Sequence, residues 1–152
     1  MGLNILSPTR GGESSVPNQM TVIGLAREHD ADLTFLYITD ISFLERISSP
    51  VLIDIEQELD ELGEFVLAIA QERAANEGVQ VKTIVRRGAF GGVLAAALEE
   101  FEIDWLILGS PVESTGSSTT MPYLESLARE LADSHGVRIT ILRMGEAVFE
   151  LP

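Results

Sequence analysis

Two short segments hold the residues of this chain best suited to chemistry. One is Ser7-Pro8-Thr9-Arg10-Gly11-Gly12; the other is Gly109-Ser110-Pro111, followed by the polar run from Val112 to Thr120. Glycine lets backbone N–H groups approach a phosphate, Ser and Thr hydroxyls donate hydrogen bonds, and a guanidinium holds a phosphate or carboxylate through two parallel bonds. Anion binding is the chemistry on offer. The plainer role for Arg10 is an ion pair with one of the many acids, and Arg86 and Arg87 have the same two readings, with the ion pair favoured. Residues 112–120 supply hydroxyls and Gly116 but no Lys or Arg to neutralise a triphosphate, so this run reads as a lid or a solvated linker.

Other chemistries are missing. His29 and His135 are the two histidines, and neither has a partner at catalytic or ligand spacing; each falls at the end of an expected helix, where a cation caps the dipole. There is no Gly-x-Ser-x-Gly elbow, no His-Glu-x-x-His pair and no Walker loop. With no cysteine, zinc ribbons, iron–sulfur clusters and thiol catalysis are excluded. Asp54, Glu56 and Glu58 point in different directions on a helix and make no carboxylate cage. No dedicated catalytic centre is visible, and no cofactor is implied by composition. Twenty-four acids against ten bases give a formal charge of −14, a surface that repels nucleic-acid backbones and anionic membranes. No segment approaches the ~20 apolar residues of a membrane span. The chain reads as a soluble cytoplasmic protein.

The elements that must position the two loops follow from periodicity. We read one domain over residues 1–152, with a core at 3–143 and a tail at 144–152. Strands are expected at Leu3–Ser7, Leu33–Thr39, Val79–Arg86, Trp105–Gly109 and Val137–Arg143, with helices between them. Alternating strands and helices imply an α/β fold, a five-stranded parallel sheet covered by helices on both faces. In the first helix Val16, Met20, Ile23 and Arg27 share a face; in the second the stripe is Ile55, Leu59, Leu62, Val66 and Ile69. The acids from Asp54 to Glu64 read as a solvated face. The third helix, Phe90–Phe101, buries Phe90, Val93, Leu94, Ala97 and Phe101. The fourth, Pro122–Ser134, buries Leu124, Leu127, Ala128 and Leu131 and stops at Gly136. Strands two and four are apolar throughout, whereas three and five are mixed. The order 3-2-1-4-5 puts the mixed strands at the edges and a topological switch point between strands one and four. Both candidate loops lie there.

At those loops the sequence resembles the universal stress protein family. Asn4 to Glu13 is similar to its opening strand and loop, Ala31 to Ile38 to its second strand, and Glu102-Ile103-Asp104-Trp105-Leu106-Ile107-Leu108-Gly109-Ser110 to its fourth. The resemblance implies a Rossmann-like fold related to adenine-nucleotide hydrolases. It also implies an ATP or AMP site, which on this chain falls on Pro8, Thr9, Arg10, Ile38, Gly109, Ser110, Gly116 and Ser126. Gly109 keeps the family's residue. Arg10 stands where the family has Asp, Val112 where it has a second glycine, and Glu125-Ser126 where it has Gly-Ser. Side chains at those positions push a phosphate away, and Glu125 repels it. The expected function is a regulatory or stress-response module with weak or absent ATP binding. The alternative is an adenine-nucleotide binder with at most slow hydrolysis. Pro8-Thr9-Arg10-Gly11-Gly12 is also similar to domains of this family attached to amino-acid and cation transporters, which makes a soluble regulatory domain associated with such a transporter the second alternative.

A homodimer is expected through Val137–Leu142 and the tail. Ile139, Ile141 and Leu142 would otherwise form a bare edge, and Met144, Val148, Phe149 and Leu151 are too apolar to float free. The competing arrangement folds the tail back over its own edge.

Overall fold

Six strands form one sheet in the order β3-β2-β1-β4-β5-β6. This is a computed structural model that describes residues 2–39, 49–111 and 120–152, with the first five residues of the second stretch described by backbone alone. The chain runs β1 (Asn4–Pro8), α1 (Val16–Glu28) after a 3-10 turn, β2 (Asp32–Thr39), α2 (Ser49–Asn76), β3 (Val81–Arg87), α3 (Phe90–Glu100), β4 (Trp105–Gly109), α4 (Met121–His135), β5 (Arg138–Arg143) and β6 (Glu146–Leu151). Strands β1 to β5 are parallel neighbours, and β6 returns antiparallel to β5.

Side chains alternate across a strand, so a sheet buried on both faces needs apolar residues at every position. Ile5, Phe35 and Ile107 point to the face covered by α1 and α2, beside Val22, Ile23, Leu67 and Ala70. Leu6, Leu36, Leu106 and Leu108 point to the other face, against Leu94, Leu124, Leu127 and Leu131. The α4 expectation holds, with its four residues buried and Gly136 capping the helix at φ 63°; in α3 Leu94 and Ala97 are buried as expected, joined by Leu98, while Phe90, Val93 and Phe101 are only partly buried against the core.

Three expectations change. The sheet has a sixth strand, so β5 is an interior strand and β3 and β6 are the edges; Gly145, at φ 82°, lets the chain turn and lay Phe149 opposite Ile141. In α1 the buried residues are Gln19, Val22, Ile23 and Ala26, while Met20 is 38% exposed. In α2 the buried face is Gly63, Val66, Leu67, Ala70 and Ala74, and Leu62 and Ile69 face outward. The reason is closeness. A Cβ on Gly63 would lie 2.5 Å from Tyr37 Cδ1, so α2 is drawn onto β2 at Gly63, with Ala70 and Ala74 continuing the close approach beside Val66 and Leu67.

Candidate functional site

Strand β1 ends at Pro8, opposite Leu36, and the Thr9 amide extends the ladder by donating to the Leu36 carbonyl at 2.9 Å. Thr9 is buried, and its hydroxyl accepts from Gln19 Nε2 at 2.7 Å. Gln19 Oε1 in turn accepts from the Arg73 guanidinium of α2. This chain of bonds satisfies a buried amide and ties β1, α1 and α2 together at the end of the strand. Gln19 is a site residue that the sequence reading missed; a lone Gln on an apolar helix face carries no local signal.

Arg10 lies beyond Thr9 and is exposed. The next two residues, Gly11 and Gly12, have φ of 80° and 81°. A Cβ on Gly11 would meet Val66 Cγ2 at 2.7 Å, so this glycine serves a turn pressed against α2. At the end of β2 the pleat sends Tyr37 and Ile38 to opposite faces; Ile38 packs on the α3–α4 side and Tyr37 on the α1–α2 side. Burial raises the Tyr37 phenol above its ordinary pKa, and the positive charge of Arg10 lowers it part of the way back.

Pairing between β1 and β4 stops at Leu6 and Leu106, so the two strands part beyond that point. Gly109 ends β4 and is exposed. A Cβ there would stand 3.1 Å from Asn18 Nδ2. Asn18 Oδ1 accepts from the Gly145 amide at 2.8 Å, and the Thr21 hydroxyl donates to the Gly145 carbonyl at 2.7 Å. The β5–β6 turn is therefore fastened to the start of α1, and the fastening side chain stands beside Gly109. Ser110 N donates to the Leu142 carbonyl at 2.7 Å, which extends the β4–β5 ladder.

Pro8, Thr9, Arg10, Gly109 and Ser110 thus gather at the carboxyl ends of β1 and β4, with Ile38 on the adjoining strand. Gly116 and Val112 lie outside the described residues. Ser126 is exposed within α4, whose opening is capped by Thr120 accepting from Tyr123 N at 3.3 Å; Pro122 in the first turn has no N–H, and Leu124 N bonds the Thr120 carbonyl. Arg86 and Arg87 form ion pairs, as read from sequence: Arg86 with Glu100 at 3.0 Å, and Arg87 with Glu56 at 3.0 Å and with Asp60. They border a cleft of about 330 Å³ between the end of β3 and α3, floored by Ala89, Gly92 and Val93. His135 lies 3.7 Å from Glu99, and His29 meets the Trp105 ring edge-on. Among the described residues no three His, Asp or Glu side chains stand together as a metal site, and no helix is long and apolar enough to cross a membrane.

Residues 3–132 match the sequence model of the universal stress protein family. The chain belongs to that family. Among solved structures it is similar to the universal stress protein UspA from Lactobacillus plantarum, at 20% identity over 93% of this chain and 97% of that one, with a TM-score of 0.73. It is also similar to a universal stress protein in complex with cAMP, at 19% identity over 94% and 98% of the two chains and a TM-score of 0.60. The universal stress protein from Archaeoglobus fulgidus in complex with dAMP matches at 10% identity over 93% and 98%, TM-score 0.58. No curated protein matches the sequence. These relatives share the α/β fold with its mostly parallel sheet; in this chain β6 adds an antiparallel strand to the five expected from sequence.

Proposed function

We propose that this universal stress protein is a regulatory, stress-response module that acts through protein association, with ATP binding weak or absent. What carries the reading is the Asn18 side chain, held by the Gly145 amide and standing 3.1 Å from where a Cβ on Gly109 would be. Protein atoms occupy the flank of the one glycine that this chain keeps from the family's phosphate-binding pattern. Arg10 in place of Asp, Val112 in place of glycine and Glu125 in place of glycine all oppose a triphosphate cradle. Isothermal titration with ATP, ADP and AMP, with and without magnesium, tests this directly. The expected result is no binding at micromolar concentration, and micromolar ATP affinity would overturn the reading.

A second reading has support of its own. Two of the similar structures hold cAMP and dAMP, and Arg10 is an exposed cation at the β1 end. A nucleoside monophosphate needs fewer anion donors than a triphosphate, and one guanidinium contacts it bidentately. In this reading Pro8, Thr9, Arg10, Ile38, Gly109, Ser110, Gly116 and Ser126 surround the nucleotide, and Arg10→Ala abolishes AMP binding while leaving the fold intact.

We further propose self-association through the tail. The edge on this side of the sheet is now β6, which exposes Val148 at 46%, with Met144 of the preceding turn at 72%, so a dimer forms by pairing β6 with its copy, and light scattering after size exclusion reports it. A transporter as partner is tested by co-purification from membranes.

A further inference from the structure

Among the described residues, the outward face of α2 carries large apolar side chains that stay well exposed. Leu62, Phe65 and Ile69 are 48%, 63% and 40% exposed. Their spacing of three and four residues stacks them on one side of the helix, opposite the buried line of Gly63, Leu67, Ala70 and Ala74. Scattered apolar residues are ordinary on a surface, whereas a contiguous stripe on one helix marks an interaction site.

The surroundings of the stripe determine what can cover it. Glu58 precedes it and Glu72 follows it on the same face, and Glu61 lies along one side; all three are exposed. The other side leads to α1, whose Arg27 bonds Glu77 of α2 at 3.3 Å. Met20 shares that flank of α1, seven residues before Arg27, and is itself 38% exposed. The surface is therefore an apolar strip with acids at both ends and along the side away from α1.

We propose that this face of α2 binds a basic amphipathic helix from a partner protein. The partner's apolar side seats on Leu62, Phe65 and Ile69, and its Lys and Arg residues meet Glu58, Glu61 and Glu72. The strip from Glu58 to Glu72 spans about 21 Å, the length of a helix of about four turns. Local charge disfavours the other occupants of this face. A second copy laid on it brings the same glutamates against one another, and an anionic lipid surface is repelled by them.

The test uses labelled synthetic peptides of about 18 residues, followed by fluorescence anisotropy on the full chain. One peptide places Leu at helical spacing with Lys elsewhere, a second replaces Lys with Glu, and a third keeps the Leu and Lys composition but scatters the Leu residues around the helix. The expected result is that only the first binds at about 0.15 M salt. Phe65→Ser and the pair Leu62→Ser, Ile69→Ser weaken it by about tenfold or more. Glu58→Gln with Glu61→Gln weakens it less and flattens the salt dependence. These positions are exposed, and circular dichroism verifies that each variant is folded. Equal binding of the first and third peptides, or affinity unchanged by Phe65→Ser, shows attraction by charge alone and overturns the proposal. So does loss of a dimer, or of binding to anionic vesicles, on Phe65→Ser, because each names a different occupant.

Discussion

Gly63 sits under the Tyr37 ring, and Gly24 sits in α1 with no atom within 4 Å of where a Cβ would be. The same substitution should act in opposite directions at the two. Gly24→Ala removes backbone freedom from the unfolded chain and should stabilise the protein by ~0.5–1 kcal/mol. Gly63→Ala should destabilise it by ~1–2 kcal/mol, because displacing an aromatic ring near its root outweighs the helix-propensity gain. Urea unfolding of the two variants side by side checks both signs. Tyr37 gives a second residue-scale prediction. Its folded pKa is raised by burial, so the neutral phenol is the form the fold favours. Stability from this group is fully present below the unfolded value of about 10 and is lost as pH rises through the folded value. In an ultraviolet titration Tyr37 should ionise above its ordinary value, and Arg10→Ala should push it higher still, since the Arg10 charge is the influence lowering it. Tyr123→Phe isolates the signal.

At the scale of elements, β6 is held by its ladder with β5, by Phe149 and Leu151 against the core, and by the bonds of Asn18 and Thr21 to Gly145. Asn18→Ala should cost ~1 kcal/mol and speed amide exchange in β6 before any other strand, which hydrogen-exchange mass spectrometry resolves. Removing residues 144–152 should do more. It bares the ladder of β5 and uncovers Ile139 and Ile141, so the shortened chain should dimerise or aggregate at concentrations where the full chain does not; light scattering measures the difference. Truncation and Asn18→Ala also free the flank of Gly109, so a gain of AMP affinity in either variant would show that the β5–β6 turn restricts the site.

For the whole molecule, the excess of acids acts on stability and on partners together. At a net charge of −14 the folded state repels itself more than the expanded one. Raising ionic strength from about 0.01 M to about 0.15 M, which shortens the screening length from about 30 Å to about 8 Å, should raise the Tm. A calorimetric scan at the two salt concentrations checks it. The exposed pairs Arg86–Glu100 and Arg27–Glu77 weaken under the same change but contribute little to stability.

The first five strands and the four helices between them, the parallel order of those strands and the placement of Pro8, Thr9, Arg10, Gly109 and Ser110 at the carboxyl ends of β1 and β4 were legible in the residues, whereas β6 was not. They follow from periodicity and from the rule that a doubly wound sheet opens where its winding reverses. The α3 and α4 faces were legible too, because large apolar residues mark them. The α1 and α2 faces were not, since a buried line of Gly and Ala looks neutral in sequence while Leu62 and Ile69 look like core. Nor did any local pattern reveal the Thr9–Gln19–Arg73 chain, or Asn18 held beside Gly109 by a turn more than a hundred residues away. Local composition determined which elements form, because propensity and alternation act over a few neighbouring residues. Which face each helix buries, and what stands beside Gly109, depended on how closely the assembled elements approach one another. Only the tertiary structure contains those distances.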